Sequence, residues 1–157
     1  MQAIGELPLS GGGNEPVDLR RVMVSHGVAT LAPNHVDLDG WELETTVDLG
    51  GTAHTLRVTQ TGLGMARIQT KLPVPQPEVR SRLLGITRHM LRLDEDLSAF
   101  YARAAKDRSL SWVTSGAGRM LRSPTVFEDV VKTICTTNCA ISSAVGGLPG
   151  FFACRLL

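Results

Sequence analysis

The chain has 157 residues, of which 43% are hydrophobic and 20% charged, a composition that excludes wholesale disorder and suits one domain or slightly more. Sixteen Lys and Arg residues against fifteen Asp and Glu give a net charge of +1, which excludes a polybasic, histone-like binder. Any nucleic-acid site must therefore be local. Three cysteines, an odd number, do not make a secreted disulfide framework, so we expect a reducing, cytoplasmic location.

Residues 1–14 predict a flexible lead-in, because they contain the triplet Gly11 to Gly13 and no export signal. An uncharged run of 22 residues, Thr133 to Cys154, is long enough to cross a bilayer. Its asparagine, threonines, glycines and proline would be costly in lipid, and we expect no membrane contact.

Hydrophobic periodicity in the first half of the chain predicts a short helix and then a sheet. Val17 to His26 has helical spacing, with Asp18 as its cap. Between residues 41 and 72 the period changes to two, interrupted by turns at Gly50-Gly51 and Gly62 to Gly64. This pattern predicts three strands of an antiparallel meander.

Helical spacing returns in the second half. Pro77 is expected to begin a helix of about four turns that covers the meander through an apolar face. The residues of that face are Val79, Leu83, Ile86 and Met90, reinforced by Leu84 and Leu91. Asp94 to Asp107 predicts a further helix whose first turn holds the acidic residues 94–96 as dipole partners. We expect four of its residues to face inward: Leu97, Phe100, Tyr101 and Ala104.

The last predicted helix is Val126 to Cys135, with Thr125 and Glu128 as a capping box. The predicted fold class is α+β: a sheet domain over residues 15–92, followed by the first helices of an incomplete all-α domain over 93–145. An atypical tail occupies residues 146–157.

The side chains that carry chemistry give few signals from spacing alone. Cys135 and Cys139 share a helix face but have no second ligand pair, so we expect structural cysteines and no metal. No spacing typical of a cofactor site is present. The basic residues Arg119, Arg122 and Lys132 form either a small phosphate-contacting face or a solvated face.

The most informative phrase lies in residues 91–140. It resembles the helix-hairpin-helix (HhH-GPD) DNA glycosylases of base-excision repair, the superfamily of 8-oxoguanine DNA glycosylase and 3-methyladenine DNA glycosylase II. The matching residues are Arg119, Leu121, Arg122, Pro124, Phe127, Glu128, Ile134, Cys135 and Asn138. The order of a short helix, a meander and a covering helix also resembles the N-terminal domain of that superfamily.

This resemblance implies a repair enzyme that binds duplex DNA containing a damaged base, flips the base out and cleaves its N-glycosidic bond. It places Asn138, with its neighbours Thr136 and Thr137, at the DNA as a wedge that fills the space of the flipped base. The arginines 119 and 122 would contact phosphate. The alternative is that Asn138 only ends its helix.

The catalytic parts of the superfamily are not found in this sequence. They are a glycine-rich hairpin followed by an Asp, with a Lys nucleophile in some members. Leu148-Pro149-Gly150 has Phe152 where the hairpin needs a second glycine. We therefore expect a truncated glycosylase with no catalytic residue.

Two alternatives remain open, and composition and periodicity suit the first of them as well as they suit a glycosylase. One is a non-catalytic helix-on-sheet module that binds a small apolar ligand or a protein partner. The other is self-association through exposed faces of the incomplete helical domain.

Overall fold

The computed structural model describes residues 1–62, 64–73 and 76–137, and it leaves out the side chains at 27, 28 and 135–137. Within those ranges the chain forms a five-stranded antiparallel sheet and four α-helices, so the predicted α+β class is confirmed. The strands are β1 (Gln2–Pro8), β2 (His35–Asp37), β3 (Glu42–Leu49), β4 (Thr52–Thr61) and β5 (Met65–Thr70). The helices are α1 (Leu19–Met23), α2 (Pro77–Met90), α3 (Ser98–Ala104) and α4 (Val126–Thr137). Two 3₁₀ helices cover Gly27–Thr30 and Ser111–Ser115.

The predicted meander is confirmed. The sheet order is β1-β5-β4-β3-β2, so β2 to β5 pair with their sequence neighbours. Leu43 and Val47 of β3 and Leu56 and Val58 of β4 are buried, as the period of two requires. The turn at Gly50 has a φ of 65°, a left-handed conformation that favours glycine.

The predicted flexible lead-in is wrong for residues 2–8, which form β1 at the edge of the sheet. β1 pairs antiparallel with β5, and Ile4 and Leu7 are buried in the core. A register shift between Ala3 and Gly5 interrupts the pairing. This bulge moves the inward positions out of a strict period of two, which is why the pattern did not predict a strand.

Helix α2 covers the sheet as predicted and begins at Pro77. Leu83 and Met90 are fully buried, whereas Val79 and Ile86 pack against the same core only partly buried. The helix also passes close over β1, since a Cβ on Gly5 would lie 2.9 Å from the Leu84 side chain. Within the described residues, no helix has the length and apolar content needed to cross a bilayer.

Helix α3 is shorter than predicted, because it begins at Ser98 rather than Asp94. Tyr101 and Ala104 face inward and form a second, smaller core with Val113 and Ala117. Phe100 is 45% exposed, so its predicted inward position is wrong. A helix of seven residues has room for one narrow buried stripe, and Tyr101 and Ala104 occupy it.

Replacing Gly85 by alanine tests whether α2 has room for a side chain at this exposed position. Gly85 is exposed in the helix interior, and a Cβ there would meet no atom within 4 Å. Gly85→Ala should therefore raise the free energy of unfolding by about 0.5–1 kcal/mol, measured by urea denaturation. Gly116→Ala is the contrasting variant and should destabilise, because Gly116 has a φ of 109° and its Cβ would lie 2.5 Å from Asp18 N. Equal effects of the two substitutions would contradict this interpretation.

Candidate nucleic-acid interface

The structure describes the side chains of two of the five residues predicted to contact DNA, Arg119 and Arg122. Arg119 and Arg122 lie in the segment that leads into α4, and Thr136 and Thr137 are the last two residues of that helix. The side chains of the two threonines are not described, and Asn138 lies outside the described residues. The structure therefore describes the surroundings of the two arginines and not of the predicted wedge.

Arg119 is buried in an ion pair with Glu15. The two side chains are 0% and 4% exposed, and the Arg119 guanidinium donates to the Glu15 carboxylate. It also donates to the backbone carbonyls of Arg92 and Glu95, the latter at 2.9 Å. Leu97 N donates to Glu15 Oε1 at 2.7 Å. A guanidinium engaged in this way does not fit the predicted contact with a DNA phosphate, and Arg119 instead joins three segments of the fold.

The glycine triplet, predicted as part of a flexible lead-in, wraps around this ion pair. Gly11 N donates to Glu15 O, and Gly12 N donates to Glu95 O, both at 2.9 Å. A Cβ on Gly11 would collide with the Arg119 guanidinium, and one on Gly13 would collide with the Asp96 carboxylate. The glycines are therefore needed for close approach, and the prediction of flexibility is wrong for this turn.

Arg122 lies at the surface in a small cluster centred on Glu95. Its side chain is 38% exposed, and its Nη2 is 2.8 Å from Glu95 Oε1. Arg92 Nη2 contacts the other oxygen of the same carboxylate at 2.5 Å. The hydrogen bond from Arg92, followed by the charges of Arg92, Arg122 and Arg119, lowers the pKa of Glu95 below its ordinary value. The Glu95 carboxylate thus neutralises part of the positive charge of two arginines.

The acidic residues before α3 make local contacts. Asp94 pairs with Arg88, and Asp96 Oδ1 accepts a hydrogen bond from Ser98 N at 2.8 Å. Hydrogen bonds from Ser98 lower the pKa of Asp96. The prediction that these carboxylates occupy the first turn of the helix is wrong. Because α3 begins at Ser98, they precede it.

The start of α4 is capped as predicted. Thr125 Oγ1 accepts a hydrogen bond from Glu128 N at 3.2 Å, which is the N-cap half of the predicted box. The Glu128 carboxylate contacts Lys132 Nζ at 2.6 Å, and Lys132 Nζ also lies 3.0 Å from Ser123 Oγ. Lys132 is only 8% exposed, so this predicted surface cation is buried between the helix and the segment before it.

Helix α4 turns its polar side inward and its apolar side outward. Phe127 is 78% exposed and Ile134 is 63% exposed, whereas Lys132 is buried. The exposed apolar residues are Val126, Phe127, Val130, Val131 and Ile134. The last four have the i, i+3, i+4, i+7 spacing of a helix face that packs on another helix. We call this surface the α4 apolar face.

Two of the cavities on the described part of the chain differ in character: the lining surface of the first is mostly apolar and that of the second mostly polar. One, of about 300 Å³, lies beside α4 and is lined by residues that include His26, Arg122 and Lys132. The other, of about 800 Å³, is a groove beside Arg20, Trp41 and Arg67. No cluster of three His, Cys, Asp or Glu side chains suited to a metal occurs among the described residues.

Sequence reasoning missed Glu15, the partner of Arg119, which is 104 residues away in the chain. A glutamate in a loop gives no local signal of burial. The glycine triplet is visible in the sequence, but only its neighbours in the folded structure show why alanine would not fit there.

Comparison with known proteins shows a similarity of fold. No protein-family model matches the chain, and no curated protein matches it. Among solved structures, it is similar to the 3-methyladenine DNA-glycosylase from Archaeoglobus fulgidus, with a TM-score of 0.67 and 17% sequence identity. The similarity covers 89% of this chain and 46% of that protein, so the chain spans about half its length. At this identity the similarity shows a DNA-glycosylase-like fold and not an activity.

The buried ion pair can be tested by removing one charge and then both. Arg119→Met leaves Glu15 buried without its cation and should cost about 3–5 kcal/mol of unfolding free energy. Arg119→Met/Glu15→Gln keeps an acceptor for Leu97 N and should be more stable than the single variant. Urea denaturation measures both, with Arg122→Met as a surface control expected to cost about 1 kcal/mol or less. A double variant less stable than Arg119→Met would contradict the predicted coupling.

Glu95 should contribute to the fall in folding stability at acid pH. Its pKa is lowered in the folded protein, so the unfolded chain binds the proton more readily as the pH falls. This contribution is present above the ordinary Glu pKa, near 4.5, and is lost as the pH falls through the folded pKa. Glu95→Gln should flatten the fall of Tm on acidification. Asp48→Asn, at an exposed position of β3, serves as the control and should leave that slope unchanged.

Proposed function

We propose that this chain is the N-terminal portion of a helix-hairpin-helix DNA glycosylase and that it contributes the binding of duplex DNA containing a damaged base. The observation that carries this proposal is the structural similarity: 89% of the chain matches less than half of a DNA glycosylase. The phrase that ends at Asn138 supports the same superfamily. The cysteine content supports a cytoplasmic location for this repair protein.

The α4 apolar face supports the proposal, because it has the spacing of a helix face that packs on other helices. Leaving a large apolar side chain in water forgoes about 1.5–3 kcal/mol relative to burying it. Phe127, Val130, Val131 and Ile134 all forgo part of that energy. Further helices, such as those of a complete glycosylase domain, would cover this face. Self-association is the competing means of covering it, and light scattering at several concentrations distinguishes the two.

In this proposal the chain supplies DNA contacts and no bond cleavage. Asn138, flanked by Thr136 and Thr137, enters the duplex, and its amide pairs with the base left behind by flipping. That pairing offsets part of an unstacking cost of a few kcal/mol. Arg122, the exposed arginine of the predicted pair, contacts a phosphate, while buried Arg119 positions the segment from inside.

The alternative module for a small apolar ligand receives no support from the described residues. Such a ligand needs a space between the meander and α2. Leu83 of the helix, with Leu56 and Ile68 of the sheet, belongs to one closed core there and is fully buried. The cavities beside α4 and beside Trp41 lie elsewhere.

The proposal predicts lesion preference without excision. The purified chain should bind a duplex containing an alkylated base or an abasic site more tightly than an undamaged duplex. Asn138→Ala should reduce this preference about five-fold, since one hydrogen bond is worth about 1 kcal/mol. Fluorescence anisotropy with labelled duplexes measures the ratio of the two affinities.

The control is Gln76→Ala, which removes an exposed amide that makes no capping hydrogen bond. It should leave the ratio unchanged. Equal affinity of the parent chain for damaged and undamaged duplexes would overturn the proposed recognition. Excision by the chain alone, retained through repurification, would overturn the assignment of DNA binding without bond cleavage to this chain.

A further inference from the structure

Three exposed cations follow one another at the end of α3: Arg103, Lys106 and Arg108. In the part of the chain that the structure describes, no carboxylate lies within ion-pair distance of any of them. The basic residues of the predicted interface differ in this respect, because Arg119, Arg122 and Lys132 each contact a glutamate. Exposed cations without a carboxylate partner also occur on α2, at Arg80 and Arg82, but the group at the end of α3 is larger and adjoins an exposed aromatic ring.

The nearest acidic side chain in this segment is committed to its own turn. Asp107 Oδ1 accepts hydrogen bonds from Ser109 N at 2.8 Å and from Ser109 Oγ at 2.7 Å. These bonds lower the pKa of Asp107, so it stays ionised. Lys106 follows the helix in a turn, and its backbone N donates to Arg103 O at 3.1 Å, which keeps the two cations close in the chain path. Residues 103–108 thus carry a local excess of two positive charges.

An exposed indole belongs to the same structural unit. Trp112 lies in the 3₁₀ helix after α3 and is 57% exposed. The Arg21 guanidinium lies 5.1 Å from the centroid of its ring, and Arg21 Nη1 donates to Trp112 O at 3.4 Å. A cation over one ring orients the indole while much of it remains accessible for stacking.

The unit that carries these groups is firmly attached to the fold. Tyr101 and Val113 share the second core, and the Tyr101 hydroxyl donates to Ala117 O at 2.6 Å. Arg21 of α1 donates to the backbone carbonyl of Trp112 and so connects this unit to the first helix. The cations and the indole are therefore presented on a fixed support rather than on a free loop.

We propose that Arg103, Lys106, Arg108 and Trp112, here called the α3 surface, bind the phosphate backbone of DNA and stack on an unpaired base. Unpaired cations bind phosphate through release of counterions, and exposed indoles stack on bases of any sequence. Ser111 Oγ donates to Arg108 O at 3.2 Å, so the cation segment joins directly onto the 3₁₀ helix that carries the indole. Cations and an exposed ring in one unit fit DNA better than an acidic protein surface, which offers no base to stack. The inference rests on the proposed function only for the choice of DNA as the polyanion.

The test measures binding of the full chain to an undamaged duplex and to one of its strands over a KCl series. Arg103→Gln/Arg108→Gln should weaken binding to both. The slope of log K against log salt for the duplex should become shallower by about 1.8, or about 0.9 for each lost contact. Trp112→Leu should weaken binding of the single strand at least about five-fold and leave the duplex nearly unchanged.

The matched control is Arg80→Gln/Arg82→Gln, which removes the same number of exposed arginines from α2. It should retain the parental slope, and so should the charge-conserving Arg103→Lys/Arg108→Lys. Circular dichroism and Tm confirm that each variant is folded.

Equal losses in the α3 and α2 variants, or no loss in either, would overturn the inference. Binding of the parent chain to phosphatidylserine vesicles but not to DNA would also overturn it. Because undamaged DNA is used here, a failure of lesion preference leaves this result interpretable by itself.

Discussion

The buried pair of Arg119 and Glu15 is the interaction on which the arrangement of this molecule depends. Two charges removed from water are costly unless each has further polar partners. Here the guanidinium also donates to two backbone carbonyls, and the carboxylate accepts from Leu97 N. Those partners lie in the turn before α3, while Glu15 lies in the loop after β1. The pair thus ties the edge of the sheet to the beginning of the helical part.

The cations of this near-neutral chain fall into two groups, according to whether a carboxylate lies close to them. One group is used internally: Arg92 and Arg122 share the Glu95 carboxylate, and Lys132 is buried against Glu128. The other group, which includes Arg80 and Arg82 of α2 and the three cations at the end of α3, has no acidic partner among the described residues. Net charge alone could not reveal this division, because it depends on which carboxylates lie nearby. A chain with a net charge of +1 can still present a locally basic surface.

Helix α4 connects the fold to its proposed function. Its charged side chains point toward the body, and its apolar residues point to solvent. A helix that is complete within its own domain has the opposite orientation. In the proposed function, the exposed face packs against further helices, and this would account for the outward orientation of its apolar residues. The proposed wedge, Asn138, follows directly at the end of this helix.

The sequence by itself determined β3 to β5, α2 and the cap of α4, because their patterns arise from residues a few positions apart. It did not predict β1, where a bulge breaks the period, or the outward orientation of Phe127 and Ile134. Periodicity identifies an apolar face but not what that face meets. Only the tertiary structure decided that Arg119 is internal and that Arg103 is free, because Glu15 lies 104 residues from Arg119. Contacts over such separations leave no trace in local pattern, since folding alone brings their partners together.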